Sequence, residues 1–280
     1  LEEQWKRLSK IFGEKEGKVP VIIYNSHINF EQTNVIPFII EEEIGGFTEF
    51  FKNRICVPFD GSYARLKKVL KHELTHIFQR KGENIWLKTF LRRKYPLWWI
   101  EGTAEYFGEG WSTEAQSFIA DLIYNEKLKP ISELTEEDGY LLYKEAQSFI
   151  KFLAERYGEK EIGKIHKLIP GRGINEALKA SIGMSLKEIE KIWRKYLKKI
   201  FWEKIYDKEE IPEDAKRLTF HKKNIFNISP AISPDGKLVA FLSDRKLSHG
   251  IYILSTVTRE IKQTVAKGGR TVSYTHLRAH

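Results

Sequence analysis

Apolar residues recur with helical spacing over much of the chain, and the stretch 62–80 gives the clearest projection. One apolar stripe collects Tyr63, Leu66, Leu70, Leu74 and Ile77, with Phe78 beside it. A second, solvated face is predicted for Lys67, Lys68, Lys71, Thr75 and Gln79. The remaining wedge holds Val69, His72, Glu73 and His76. This wedge belongs to neither main face, which favours a surface that lines a cleft.

The spacing of apolar residues also predicts the other helices and strands of the first 200 residues. Helices are expected at Leu1–Phe12, Thr113–Asn125, Tyr143–Tyr157, Glu161–Leu168, Asn175–Ser181 and Ser185–Phe201. Strands are expected at Val19–Tyr24 and Arg54–Phe59. Capping boxes are predicted at Thr113 with Gln116 and at Ser185 with Glu188. Strands followed by an all-helical half predict an α+β fold.

The period of the pattern changes after residue 216. A charged stretch containing Pro212 indicates a linker, and an Asp235-Gly236 turn then opens alternating strands. We therefore predict a domain at 1–203, a linker at 204–216 and an all-β unit at 217–270. The tail 271–280 does not continue the strand pattern, and we expect it to be non-native or disordered.

Length, composition and charge exclude several classes of protein. A chain of 280 residues supports one domain of about 200 residues with a smaller unit. No apolar run is long enough to predict a membrane span. The single cysteine, Cys56, excludes internal disulfides and cysteine-based zinc sites, and a buried residue is expected there. The net charge of +9 comes from lysines interleaved with glutamates, which favours solvated helix faces over nucleic-acid binding.

The wedge carries the sequence His72-Glu73-Leu74-Thr75-His76. Two histidines at i and i+4 lie one turn apart on one helix face and can bind one zinc ion. Glu101 follows the apolar run 96–100, where a buried carboxylate needs a partner, so it is the expected third ligand. The fourth position would stay open for water, with Glu73 as its general base.

A second acidic residue lies one turn after Glu101. Glu105 is expected to orient a ligand histidine by accepting a hydrogen bond, and a plain surface glutamate is the alternative. Glu109 is the weaker choice, because the helix is expected to end at Gly108.

These motifs resemble the gluzincin metallopeptidases, and most closely the peptidase-MA-like domains. Their pattern of a strand, HELxH and PxWxxEGxAEY is matched by Arg54–Phe59, His72–His76 and Pro96–Tyr106. The resemblance implies zinc bound by His72, His76 and Glu101, with Glu73 as base and Glu105 orienting the first histidine. It also implies that the strand Arg54–Phe59 is an edge strand that can pair with an extended substrate.

The helix expected at Tyr143–Tyr157 adds to this resemblance. M1-type gluzincins open a comparable helix with Tyr-x-x-Gly, whose tyrosine stabilises the oxyanion, and Tyr143 is the counterpart. Ala146 stands where that family has Gly, and Tyr140 and a plain core tyrosine remain as alternatives. The M1 amino-terminus anchor Gly-x-Met-Glu-Asn is absent, since the only methionine is Met184. An endopeptidase or oligopeptidase is therefore favoured over an aminopeptidase.

The strands after the linker resemble a TolB-type β-propeller repeat, SPDGxxLAFxSDR followed by an IY strand. One repeat makes about one blade, and a propeller needs about four or more, so this chain is expected to be a fragment of a longer protein. It starts at Leu1 rather than Met, so we also expect that an upstream targeting segment is absent from it. The resemblance favours an extracytoplasmic or cell-envelope location. Besides a peptide or protein substrate, the propeller is a possible site for a protein partner. A catalytically silent scaffold with a binding propeller is the alternative function, and a nucleic-acid binder is the third.

Overall fold

The structure is a computed structural model that describes residues 1–13, 17–32, 45–49, 53–79, 95–206, 215–220, 227–243, 245 and 250–265. It forms two compact units, Leu1–Lys208 and Glu209–His280. Most of the predicted linker 204–216 and the whole of the tail 271–280 lie outside the described residues. The division into domains therefore stays a prediction.

The first unit contains a small mixed sheet. Its strands are β1 (Val21–Tyr24), β2 (Phe47–Glu49) and β3 (Arg54–Pro58), in the order β1-β3-β2. β3 pairs parallel with β1 and antiparallel with β2, so it is the central strand. The expectation that Arg54–Phe59 is an edge strand is wrong. Among the described residues, β1 and β2 are the outer strands, and the three-residue β2 is too short to show an alternating pattern in the sequence.

The strand β3 separates two apolar clusters, because successive side chains point to opposite faces. Ile55 and Val57 belong to the main core, which also contains residues of the helix after β3. Cys56 points the other way, into a small cluster with Phe30. It is a free, buried cysteine, as the sequence predicts. The alternation therefore fixes which face of the sheet supports the helix that carries His72.

Helices make up most of the rest of the described part of the first unit. The described helices are α1 (Glu2–Phe12), α2 (His27–Glu31), α3 (Tyr63–Gln79), α4 (Leu97–Glu109), α5 (Thr113–Tyr124), α6 (Tyr140–Tyr157), α7 (Glu159–Ile182) and α8 (Leu186–Tyr206). α4 contacts both α3 and α6. The expected α+β class is thus confirmed. None of the described helices is long and apolar enough to cross a membrane.

Several helix ends differ from the predicted ones. α6 begins one turn before Tyr143, because the chain turns at Gly139, which has a φ of 49°. α4 continues through Gly108 and is capped at Gly110. The cap of α5 is Ser112, whose hydroxyl accepts from the Ala115 amide, so the box predicted at Thr113 is one residue late. The box at Ser185 and Glu188 is confirmed.

α4 and α6 approach each other closely at Gly102 and Ala146. A Cβ at Gly102 would lie 2.6 Å from Cβ and 2.7 Å from the carbonyl carbon of Ala146. The missing side chain on α4 therefore provides the space that a glycine on α6 would provide. Ala146 therefore packs against α4 without separating the two helices.

The second unit contains a four-stranded antiparallel sheet in the order β4 (Asn227–Ile232), β5 (Leu238–Ser243), β6 (Gly250–Ser255) and β7 (Ile261–Val265). The strands expected around the Asp235-Gly236 turn are confirmed. Phe241, Tyr252 and Leu254 form its small core. Assignment of this sheet to a propeller stays a prediction.

A buried carboxyl on α6 ties that helix to the loop before it. Glu145 is fully buried, and its Oε1 accepts a hydrogen bond from the Lys129 amide at 3.1 Å. No donor among the described residues reaches its Oε2. Burial raises the pKa of Glu145 to about 7, with the Lys129 hydrogen bond acting in the opposite direction.

Gly102→Ala should destabilise the protein by about 1–3 kcal/mol, because the added methyl overpacks the α4–α6 contact. The measurement is the free energy of unfolding from denaturant titration. Gly171→Ala is the matched control, since a Cβ there meets nothing within 4 Å. It lies at the end of the first of the two helical segments of α7, which meet at the non-helical Gly173, and its φ is not positive, so alanine can adopt the same backbone conformation. Equal effects of the two substitutions would contradict the packing argument.

Glu145→Gln should raise the melting temperature at pH 8 but change it little at pH 5. A carboxyl whose pKa is raised on folding stabilises the protein below its unfolded pKa of about 4.5, and that contribution is lost as the pH rises through about 7. At pH 8 the wild type must therefore keep a buried charge that glutamine lacks. Thermal unfolding at both pH values tests this, and a pH-independent gain would count against it.

Candidate metal centre

The site lies on the side of α3 that packs against α4 and β2. His72 and His76 face α4, Glu73 faces β2, and Glu73 is only 6% exposed. The predicted solvated face is wrong at Thr75 and Gln79, which are both buried. A helical projection ranks positions by polarity, so it cannot show that packed neighbours cover this side of α3.

Three side chains bring ligand atoms together. His72 Nε2 lies 3.1 Å from His76 Nε2, and Glu101 Oε2 lies 3.5 Å from each of them. α3 supplies the two histidines from successive turns, and Glu101 comes from the second turn of α4. The structure therefore brings together the three residues that the sequence predicts as ligands. They form a group that could hold a metal ion.

The spacing of these atoms suits a small tetrahedral ion. Zinc binds histidine nitrogen and carboxylate oxygen at about 2.0–2.1 Å, and tetrahedral angles then require ligand atoms about 3.3 Å apart. The observed triangle of 3.1, 3.5 and 3.5 Å is close to this value. Two imidazoles and one carboxylate are also a typical donor set for catalytic zinc. The residues present thus fit the ion.

The electrostatics of the site favour a cation. Burial would lower the pKa of His72, but contacts with Glu101 and Glu105 and the charge of Glu73 hold it at about 10. Burial opposes ionisation of Glu101, yet the two histidines keep its pKa far below the ordinary value. The protein thus surrounds two imidazoles with three carboxylates away from bulk water. Positive charge is needed there, and protons or a divalent cation can supply it.

The first histidine is held by an acidic residue one turn beyond Glu101. Glu105 Oε1 lies 3.3 Å from His72 Nδ1, and the other oxygen accepts from Lys144 Nζ at 2.9 Å. Lys144 also donates to Glu109, which accepts from Lys68 Nζ at 2.7 Å as well. The Lys144 side chain is 2% exposed. A buried lysine thus compensates two carboxylates and connects α6 to the support of His72.

The second histidine has a separate support, which the sequence interpretation missed. His76 Nδ1 lies 2.8 Å from Gln79 Oε1, so the ring donates there and presents Nε2 to the site. Gln79 Nε2 donates to the Ile100 carbonyl at 2.9 Å, next to Glu101. The Gln79 carbonyl accepts from His166 Nε2 at 2.7 Å. One side chain thus links the end of α3 to the start of α4.

His166 is a core histidine in a fixed tautomer. Its Nδ1 accepts from Trp99 Nε1 at 3.1 Å, while the ring stacks on Tyr95. Burial lowers the pKa of His166 to about 4. A neutral ring is required for this arrangement, because protonation would place two donors face to face.

Tyr143 lies within electrostatic range of the candidate metal centre. Burial raises the pKa of its hydroxyl above the ordinary value, and the carboxylates of Glu101, Glu105 and Glu73 raise it further. The alternative Tyr140 is 46% exposed, and its hydroxyl donates to Glu114 Oε1 at 2.6 Å. Tyr140 is also within electrostatic range of Glu105, so the two tyrosines differ mainly in that the Tyr140 hydroxyl is engaged by Glu114 on α5.

A family model described as the Peptidase MA superfamily matches residues 3–199. The chain belongs to the Peptidase MA superfamily. The match contains all the residues of the candidate metal centre and ends before β4, so it does not extend to the second sheet. No curated protein matches the chain.

Lys144→Met should destabilise this Peptidase MA domain by about 3–5 kcal/mol, because the buried Glu105 and Glu109 carboxylates lose the lysine that they share and keep only His72 and Lys68 as partners. Lys151→Met is the control on the same helix. Lys151 pairs with Glu155, whose side chain is about half exposed, so its loss should cost about 1 kcal/mol or less. Unfolding titrations of the metal-free proteins compare the two variants. A Lys144 variant as stable as the control would refute the compensating role.

Proposed function

We propose that this chain is a zinc-dependent peptidase in which His72, His76 and Glu101 hold the metal and Glu73 is the general base. The observation that carries the proposal is the triangle of ligand atoms on α3 and α4. Glu73 supports it further, since this fourth ionisable side chain is buried on the same helix between the two histidines. Membership of the Peptidase MA superfamily supports peptide-bond hydrolysis as the reaction.

Each side chain has a definite task in peptide-bond hydrolysis. Bound zinc would supply a Lewis acid that polarises a carbonyl oxygen and lowers the pKa of water. Glu73 takes the proton from the attacking water and delivers it to the leaving amine. Glu105 and Gln79 accept hydrogen bonds from the Nδ1 atoms of the two histidines, which keeps both Nε2 lone pairs directed at the ion.

Tyr143 is proposed as the donor to the oxygen that gains negative charge during attack. Its proximity to Glu101, Glu105 and Glu73 supports this role, and the contact of Tyr140 with Glu114 argues against the alternative. A neutral hydroxyl is the form required, and the raised pKa of Tyr143 preserves it. We favour an endopeptidase or oligopeptidase, because the sequence contains no M1-type amino-terminus anchor.

Glu73→Gln should retain zinc but lower the turnover number about 10²–10⁴-fold, because glutamine cannot accept the proton. His72→Ala should instead lose stoichiometric zinc, so the two variants separate chemistry from metal binding. The measurements are metal content and cleavage of a broad peptide library by the full chain. Hydrolysis by Glu73→Gln at the wild-type rate would contradict the proposed mechanism. A zinc-loaded wild type that cleaves no peptide would favour the silent scaffold.

A further inference from the structure

The Glu73 carboxylate has a hydrogen-bond donor on the edge strand β2. Thr48 Oγ1 lies 2.6 Å from Glu73 Oε2 and 3.1 Å from the Glu73 carbonyl oxygen. Both residues are buried, with 7% and 6% of their surfaces exposed. A threonine hydroxyl has one hydrogen to donate, and the shorter contact assigns it to the carboxylate. A charged acceptor also makes the stronger hydrogen bond.

The position of β2 over α3 is fixed by close contact at Gly46. A Cβ at this position would lie 2.7 Å from Val69 Cγ1 and 2.8 Å from Val57 Cγ1. Valine side chains are restricted at χ1 and cannot easily turn away. The strand is also paired with β3 at Thr48 and Ile55. The distance between Thr48 and Glu73 therefore depends on glycine at position 46.

We propose that Thr48 is a positioning residue that holds the general base Glu73 in its catalytic orientation. The hydroxyl restrains the carboxylate through Oε2, and Oε1 is then the oxygen that accepts the proton from water. A glutamate side chain has three torsions, and without this restraint its carboxylate would populate several orientations. This inference rests on the proposed function, because orientation of Glu73 matters only if Glu73 is the base.

The first test separates orientation of the base from binding of metal and substrate. Thr48→Val keeps the shape of the side chain but removes the donor, so kcat should fall about 10–100-fold with KM and zinc content unchanged. Thr48→Ser keeps the hydroxyl and should restore kcat to within about 3-fold of wild type. A purely structural effect of Thr48 would not give this split between kcat and KM.

A second variant reaches the same contact from the backbone. Gly46→Ala should push β2 away from α3 and lower kcat about 10-fold or more, again with zinc retained. Gly171→Ala adds a methyl where nothing lies within 4 Å and should leave kcat unchanged. If Thr48→Val fails to fold, Gly46→Ala and its control Gly171→Ala still test the inference.

A third measurement needs no turnover. In the metal-free protein, Thr48→Val should lower the melting temperature, but much less when Glu73→Met has already removed the acceptor. Additive shifts, or a kcat for Thr48→Val within about 2-fold of wild type, would overturn the inference and leave the proposed function intact. Wild-type hydrolysis by Glu73→Gln would overturn the proposed function itself.

Discussion

The structure of the first unit depends on keeping a cluster of ionisable groups out of water. Five side chains are largely buried where α3 meets α4 and β2, namely His72, His76, Glu101, Glu105 and Glu73. Burial of charge is costly unless every group has a partner. The protein meets this constraint with short contacts between the groups themselves and with donors and acceptors brought from β2, α4 and α6. The buried carboxylates and imidazoles are therefore arranged so that a divalent cation can complete the pairing of charges in the cluster.

Each member of the cluster is held from a different direction. Lys144 on α6 secures Glu105 behind His72, Gln79 secures His76 and reaches the backbone beside Glu101, and Thr48 contacts Glu73. These supports do not share one helix. Displacing β2, α4 or α6 would therefore disturb the particular side chain of the site that this element supports. Orientation of a metal site in this way depends on the groups behind the ligands as much as on the ligands.

Local periodicity was sufficient to predict the face of α3 that carries His72, Glu73 and His76, because side chains one turn apart share a face whatever surrounds the helix. Glu101 could be predicted because it ends an apolar run. The chemical roles of these residues stay proposals. Thr48 and Lys144 were missed, since their partners lie 25 to 39 residues away in sequence. The sequence pattern of a single helix or strand does not show which other element it contacts. The central position of β3 was missed for the same reason.

Close approach of backbones makes these long-range contacts possible. A Cβ at Gly108 would lie 3.0–3.1 Å from the Cβ, Cα and amide nitrogen of His72, and one at Gly102 would collide with Ala146. Glycine on one side of α4 thus brings it against α3, and glycine on another brings it against α6. Longer side chains at these positions would separate the helices and leave Glu105 too far from its partners. The spacing of glycines on α4 is therefore a condition for the charged cluster, since hydrogen bonds weaken steeply once their donors and acceptors move apart.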